Sequence, residues 1–292
     1  MNNSTVQVIT HSDLDGVVSY LVLCWFYGRK LDVMSTTPMK LEQDFDKLQS
    51  PGKKWDKLYF LDLDVSKIGS KIDHANTIVL DHHKTNIYPY QNAVVRIYNE
   101  TSCCKLIYDT FFKEKKVNNN QKTLIALADD WDSAQKKTPL SEQLNIVYHS
   151  MTNKFNSFVE DYYNGFVPFD KFKANTVLLH NKHCKEYIDT LTVFSGSVEF
   201  EGQKDIKVGA IFCEKFVQES CDWLFNNHNV DIAIAVILNQ KRISVRRNSN
   251  RDDIDVSKFV QRIASGGGHA AAAGGNLTDD FIEFTKMLKP LK

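Results

Sequence analysis

The first half of the chain alternates short apolar runs with helix-like segments, and this order restricts the fold more than any other feature. Val6 to Thr10, Lys57 to Leu63 and Thr77 to Leu80 have the pattern of strands, and Gly16 to Tyr27 has the pattern of a helix. Strands separated by helices favour a parallel sheet with helices on both faces. Ligands of such α/β sheets bind beyond the carboxyl ends of the strands.

The second half predicts a smaller α/β domain built on a mixed sheet. Residues 195–213 have the pattern of a hairpin, and residues 230–239 and 241–248 have the pattern of two further strands. A helix is expected from about Asp255 to Ala264. The run SGGGHAAAAGG that follows is expected to form a glycine-rich loop.

At 292 residues the chain is long enough for two domains with separate cores. We predict an N-terminal domain over residues 1–152, a helical linker over 153–190 and a C-terminal domain over 191–292. The active site is then expected in the cleft between the two domains.

Charge and cysteine usage restrict the partners. The 36 Lys and Arg residues balance the 36 Asp and Glu residues, so no overall positive field favours a long duplex, and a small or short substrate is expected. The sequence shows no leader-like start and no apolar run of about 18 residues, so we expect a cytoplasmic protein with no membrane partner. The six cysteines have no C-x-x-C pair, which indicates mostly buried thiols.

Acidic and histidine residues follow the first predicted strand. His11, Asp13 and Asp15 alternate in THSDLDG, so an extended backbone would point all three the same way, and Gly16 would let the chain turn into the helix. The alternative is that Asp13 or Ser12 caps the helix and the rest is solvated loop.

Two more groups follow the other predicted strands. Asp62 ends the second, where a turn or capping role is the alternative. Asp81, His82 and His83 end the third, and three adjacent polar groups after a buried strand need pairing or a metal. Carboxylate and imidazole ligands suit Mn²⁺, with Fe and Zn as alternatives. The number of carboxylates fits two divalent ions about 3.5–4 Å apart, as in enzymes that attack phosphorus.

The motifs in their order resemble the DHH phosphoesterase superfamily with its DHH-associated C-terminal domain. The motifs are H-x-D-x-D-G at 11–16, a strand-terminal Asp62, D-H-H at 81–83, a later Asp, and G-G-G-H-x-x-A-A-G at 266–274. DLDGV and LDHHKT look most similar to the nanoRNase branch. Several branches place the first histidine four residues before the first aspartate, whereas here it stands two before.

The resemblance implies a set of metal ligands for two Mn²⁺ ions, with Mg²⁺ or Co²⁺ as alternatives. The ligands are His11, Asp13, Asp15, Asp62, His82 and Asp132. Asp62 would bridge the two ions. The last carboxylate stays open, because ALADDWDSA offers Asp130 and Asp129 as well as Asp132.

The resemblance also implies catalytic and substrate-binding residues. Asp62, His83 and Asp81 would be catalytic, with His83 a further ligand or a partner of the scissile phosphate and Asp81 orienting the histidines. The substrate-binding residues would be Arg246, Gly266, Gly267, Gly268 and His269. Glycine amides and an arginine suit a phosphate. A solvated strand residue is the alternative for Arg246, and more so for Arg247.

The function expected from the resemblance is Mn²⁺-dependent hydrolysis of short oligoribonucleotides (nanoRNA) to mononucleotides. Cyclic or linear dinucleotides, the bisphosphate pAp, and single-stranded DNA cleaved by a RecJ-type exonuclease are alternative substrates. A non-catalytic nucleotide-binding module is an alternative of another class. The sequence leaves open whether the chain is a homodimer.

Overall fold

The computed structural model describes residues 4–49, 54–98, 101–133, 135 and 137–279. The chain divides into two compact units, unit 1 over Met1–Leu178 and unit 2 over Leu179–Lys292. The predicted domain boundaries at 152 and 190, and the predicted cleft, stay predictions.

Unit 1 contains a five-stranded sheet whose four pairings are all parallel, in the order β2-β1-β3-β4-β5. The strands are β1 Val6–His11, β2 Asp32–Thr36, β3 Lys57–Leu61, β4 Thr77–Asp81 and β5 Val94–Ile97. The central strands β1 and β3 are buried along most of their length, as near-continuous apolar strands of a parallel sheet should be.

Helices cover both faces of this sheet. The helices are α1 Leu14–Tyr27, α2 Leu41–Leu48, α3 Gly69–Ile72, α4 Cys103–Phe111, α5 Asn119–Asp132, α6 Pro139–Ser150, α7 Lys154–Tyr162 and α8 Lys171–Ile188, which runs across the boundary between the units. Val8 packs in the cluster under α1, α4 and α5, whereas its neighbour Ile9 packs in the cluster under α2. This alternation confirms the α/β class predicted for the first half.

Three details of unit 1 differ from the sequence-based expectation. The strands β2 and β5 were not predicted, because both are short and half-exposed and lack a continuous apolar run. Helix α1 begins at Leu14, which places Gly16 inside its first turn. The segment QKTLIALA at 121–128 predicts a short helix, but helix α5 runs on through the acidic residues to Asp132.

Unit 2 contains a six-stranded mixed sheet in the order β10-β11-β9-β8-β7-β6, in which β7 and β8 are the parallel pair. The strands are β6 Val193–Phe200, β7 Gln203–Phe212, β8 Ile232–Ile237, β9 Arg242–Arg247, β10 Ser265–Gly268 and β11 Ala272–Asn276. The helices α9 Val217–His228 and α10 Val256–Ile263 pack against it. The predicted mixed sheet is confirmed.

The glycine-rich run at 265–275 forms a hairpin, so the expectation of a loop is wrong. Gly266 pairs with Gly275 and Gly267 with Gly274 in antiparallel register. A Cβ on Gly266 would overlap the backbone of Gly274. Glycine at position 266 is therefore needed for the close approach of the two strands, in addition to the phosphate-binding role predicted for it.

All six cysteines are free and buried, as expected. Among the described residues, no helix has both the length and the apolar character needed to cross a membrane.

Gly16 offers a test of the turn between β1 and α1. Alanine is about 1 kcal/mol better than glycine inside a helix, but a Cβ on Gly16 would overlap the carbonyl of His11, and such overpacking typically costs about 1–3 kcal/mol. We therefore expect Gly16→Ala to lower the free energy of unfolding in urea. Gly196→Ala is the control, because nothing lies within 4 Å of its Cβ. Equal stability of Gly16→Ala and the wild type would contradict the close approach.

Candidate metal centre

Asp13 occupies the end of helix α1 and faces His11 at the same time. Its Oδ1 accepts a hydrogen bond from the Gly16 amide at 2.9 Å, so Asp13 is the N-cap of the helix. Its Oδ2 lies 2.7 Å from His11 Nδ1. The capping interpretation is therefore correct for Asp13, and it leaves the second oxygen directed at the cluster.

Asp62 lies at the centre of the cluster, directly after β3. It is 1% exposed, its φ is 57°, and its two oxygens lie 3.2 Å from His82 Nε2 and 3.6 Å from His11 Nδ1. Neither oxygen accepts a hydrogen bond. A left-handed backbone costs about 1–3 kcal/mol outside glycine, and a buried carboxylate without hydrogen bonds is costly too. A strained backbone and a buried carboxylate that faces two imidazoles are together typical of a functional site.

Asp81 is buried, and its carboxylate orients the imidazole of His83. The carboxylate is fully buried. Its Oδ1 accepts from the His82 amide at 2.8 Å and lies 2.7 Å from His83 Nδ1. Its Oδ2 accepts from Asn86 Nδ2 at 2.9 Å. Asn86 was missed in the sequence, and its signal is an amide in the loop five residues after Asp81.

The three aspartates at the end of α5 have different surroundings. Asp132 Oδ2 lies 3.6 Å from His82 Nδ1 and is buried without a hydrogen bond. Asp130 accepts from Ser141 Oγ at 2.7 Å and from the Lys137 amide at 2.8 Å. Asp129 Oδ1 accepts from Ser102 Oγ at 2.8 Å. Asp132 therefore joins the cluster, while the other two bind elsewhere.

Asp15 is buried against the start of helix α4. It is 2% exposed, and its two oxygens accept from the amides of Cys103 and Cys104 at 2.7 and 2.9 Å. Ser102 is the N-cap of this helix.

Among the residues that the structure describes, three overlapping groups of side chains could each hold a metal ion. Within each group the ligand atoms lie within 4.8 Å of one another; the groups are Asp62–His82–His83, His11–Asp13–Asp62 and Asp15–His82–Asp132. Asp62 and His82 each belong to two groups. The structure thus brings together every ligand predicted from the sequence except the alternatives Asp130 and Asp129, and the roles of these residues stay predictions.

Burial and crowded charges raise the pKa values of two histidines and two aspartates in the cluster. Burial would lower the pKa of His11 and of His82, but the neighbouring carboxylates outweigh it and raise both to about 10. Burial, then the charge of Asp62, raises the pKa of Asp15 to about 7. Burial, then the charge of Asp15, raises the pKa of Asp132 to about 7. The histidines and two of the aspartates thus hold protons that compensate the negative charge of the cluster, as a bound cation would.

The donor set fits divalent cations. The hydrogen-bond-free oxygens of Asp62 and Asp132 are buried beside imidazole nitrogens. Mixed carboxylate and imidazole donors suit Mn²⁺-type ions.

In unit 2, Arg246 stands opposite Ala272 in the register of β9 and β11. Its Nη2 lies 3.5 Å from Gln218 Oε1, and its Nε is buried without a hydrogen bond. Arg247 also has a buried Nε and Nη1 without hydrogen bonds among the described residues, although the residue as a whole is partly exposed. His269 lies in the hairpin turn, where its amide donates to Ala272 O at 2.8 Å.

Two family models match the chain. The DHH family, N-terminal domain, matches residues 5–129, and the DHHA1 domain matches residues 215–291. Together the matched segments span more than half of the 292 residues.

Known proteins resemble the chain over almost its full length. The sequence is 23% identical to oligoribonuclease NrnB of Bacillus subtilis (strain 168), over 95% of this chain and 74% of NrnB. The fold is similar to that of the pGpG-specific phosphodiesterase PggH from Vibrio cholerae, with a TM-score of 0.58, 15% identity and 96% coverage of both chains. It is also similar to exonuclease RecJ bound to manganese, with a TM-score of 0.53, 12% identity, and coverage of 96% of this chain and 88% of RecJ.

The raised pKa values give a test by metal binding. A divalent cation needs neutral imidazoles and ionised carboxylates, so it must displace protons from His11, His82, Asp15 and Asp132. We expect Mn²⁺ binding to release protons and its affinity to rise as pH rises from about 6 to 8. Calorimetric titration in buffers of different ionisation enthalpy measures the proton release, and titration at several pH values measures the change in affinity. Binding that releases no proton and does not depend on pH would contradict this charge state.

Proposed function

The chain belongs to the DHH superfamily of phosphoesterases, and from this premise we propose that it is a Mn²⁺-dependent phosphodiesterase that hydrolyses short oligoribonucleotides to mononucleotides. The observation that carries the proposal is the convergence of acidic and histidine side chains around the buried Asp62 at the carboxyl edge of the parallel sheet.

The residues that would hold two metal ions all belong to unit 1. They are His11, Asp13, Asp15, Asp62, His82 and Asp132, with Asp62 shared between the two positions. When bound, such ions lower the pKa of water and stabilise negative charge on phosphoryl oxygens.

His83 is the proposed donor to the scissile phosphate. Burial would lower the pKa of His83, but the Asp81 carboxylate outweighs it and raises the pKa. Burial would in turn raise the pKa of Asp81, but His83 and Asn86 lower it, so Asp81 stays ionised. The 2.7 Å contact between Asp81 Oδ1 and His83 Nδ1 fixes the ring and favours its protonated form. A cationic imidazole can stabilise the charge that develops on a phosphoryl oxygen.

Arg246 is the proposed contact to a substrate phosphate in unit 2. A guanidinium can hold a phosphate through two parallel hydrogen bonds, and the Nε of Arg246 is buried without a partner. The amide donors of Gly266, Gly267 and Gly268 on β10, together with His269, are proposed to supply further contacts. Lysine would be a poor replacement for Arg246, because it lacks the planar fork.

Two observations support a short substrate. The similarity to NrnB covers 95% of the chain, and the balance of 36 basic and 36 acidic residues gives no general attraction for long nucleic acid. A linear dinucleotide is the second candidate, favoured by the fold similarity to PggH, which is named for pGpG. Cyclic dinucleotides and pAp follow, then cleavage of single-stranded DNA of the RecJ type, and binding without catalysis is the last alternative.

A substrate panel separates these alternatives. The purified chain with Mn²⁺ is incubated with labelled RNA dinucleotides, longer RNA, cyclic dinucleotides, pAp and single-stranded DNA, and with a chelator as control. We expect mononucleotide release from the short linear RNA to be fastest and to stop with the chelator. Tight binding without turnover of any substrate would contradict the proposal and favour a binding module.

Asp62→Ala tests the centre of the site. Because Asp62 accepts no hydrogen bond, we expect the fold to survive while dinucleotide hydrolysis falls by roughly 100-fold or more, since even outer-shell changes cost about 10–100-fold. Asp64→Ala is the matched control, because Asp64 lies two residues on and binds the Ser66 amide instead. Activity of Asp62→Ala above a few per cent of that of Asp64→Ala would remove the central role of Asp62.

A further inference from the structure

The N-cap and the first two residues of helix α4 contact Asp15, the strand β4 and Asp129. We call residues 102–104 the α4 start. Both amides at positions 103 and 104 donate to the Asp15 carboxylate, at 2.7 and 2.9 Å. The α4 start therefore holds one candidate ligand directly.

The same segment is bound to the strand that carries the Asp-His-His triplet. Cys103 Sγ donates to Leu80 O at 3.1 Å, and Leu80 directly precedes Asp81. Cys103 and Ser102 are fully buried, so water does not compete for these contacts. Movement of the α4 start would thus change the positions of both Asp15 and β4, because both are hydrogen-bonded to it.

Asp129 is the third hydrogen-bond partner of the α4 start, after Asp15 and Leu80. Its Oδ1 accepts from the Ser102 amide at 3.0 Å and from Ser102 Oγ at 2.8 Å. Asp129 lies on α5 three residues before Asp132, and residues three apart lie on neighbouring parts of one helix face. Asp129 therefore connects the helix that carries Asp132 to the segment that holds Asp15.

We propose that Asp129 is a positioning residue of the metal centre, which acts through Ser102 and the α4 start to set the orientation of Asp15. The proposal rests on the metal site of the proposed function. Asp129 is assigned no contact with a metal or a substrate. Outer-shell hydrogen bonds of this kind orient ligands, and their loss lowers metal affinity.

The test compares Asp129→Ala with Asp129→Asn. Asparagine keeps an Oδ1 that can accept both bonds from Ser102, whereas alanine keeps none. We expect Asp129→Ala to weaken Mn²⁺ binding by about 10–100-fold and Asp129→Asn to stay within a few-fold of the wild type. Free Mn²⁺ is measured by electron paramagnetic resonance during titration of the metal-free protein, so the result does not depend on turnover.

Asp109→Ala is the matched control. Asp109 lies on the same helix α4 and forms an exposed ion pair with Lys105, so its removal changes the charge equally without touching the α4 start. We expect wild-type Mn²⁺ affinity for this variant. In kinetics, Asp129→Ala should lower kcat at limiting Mn²⁺, recover with added Mn²⁺, and leave KM for a dinucleotide nearly unchanged.

The outcomes separate the two proposals. Wild-type Mn²⁺ affinity of Asp129→Ala would overturn the positioning role while leaving the metal centre in place. Equal losses in Asp129→Ala and Asp129→Asn would also overturn it, because charge and not the Ser102 bonds would then matter. If Asp129→Ala does not fold, Ser102→Ala decides, and unchanged affinity there would overturn the role. A wild type that binds no Mn²⁺ would overturn the metal centre itself, and this inference with it.

Discussion

The buried carboxylate of Asp62, which faces His11 and His82, is the constraint that organises the candidate metal centre. The carboxylate is buried and accepts no hydrogen bond among the described residues. The backbone of Asp62 itself has a φ of 57°, in the left-handed region. Burial, then the charge of Asp13, raises the pKa of Asp62. Without a cation the cluster compensates by protonating its histidines. A pair of divalent ions would supply the same compensation and leave the imidazoles neutral.

The parallel sheet brings distant residues together at one edge. Strands β1, β3 and β4 lie side by side with their carboxyl ends in the same direction, so His11, Asp62 and Asp81 meet although they are far apart in sequence. Helices α4 and α5 then contribute from outside the sheet. The direction of the strands thus positions the residues at the strand ends, and the ends of the helices position the remaining residues of the site.

The sequence predicted the elements whose signal is local. The apolar runs of β1, β3 and β4 and the motif residues at their ends were sufficient to predict that these side chains meet at one edge of the sheet. The sequence did not predict β2 and β5, which are short and half-exposed, or the hairpin at 265–275, where glycines serve strand packing. Nor did it predict the bonds from Asn86 to Asp81 or from Ser102 to Asp129, because such side-chain pairs depend on tertiary packing.

Crystals soaked in Mn²⁺ and measured at the manganese absorption edge test the central claim most directly. We expect two anomalous peaks about 3.5–4 Å apart, with Asp62 in contact with both. The remaining contacts should come from His11, Asp13, Asp15, His82 and Asp132. A well-ordered map with no peak beside Asp62, or with those side chains turned away from one another, would contradict it.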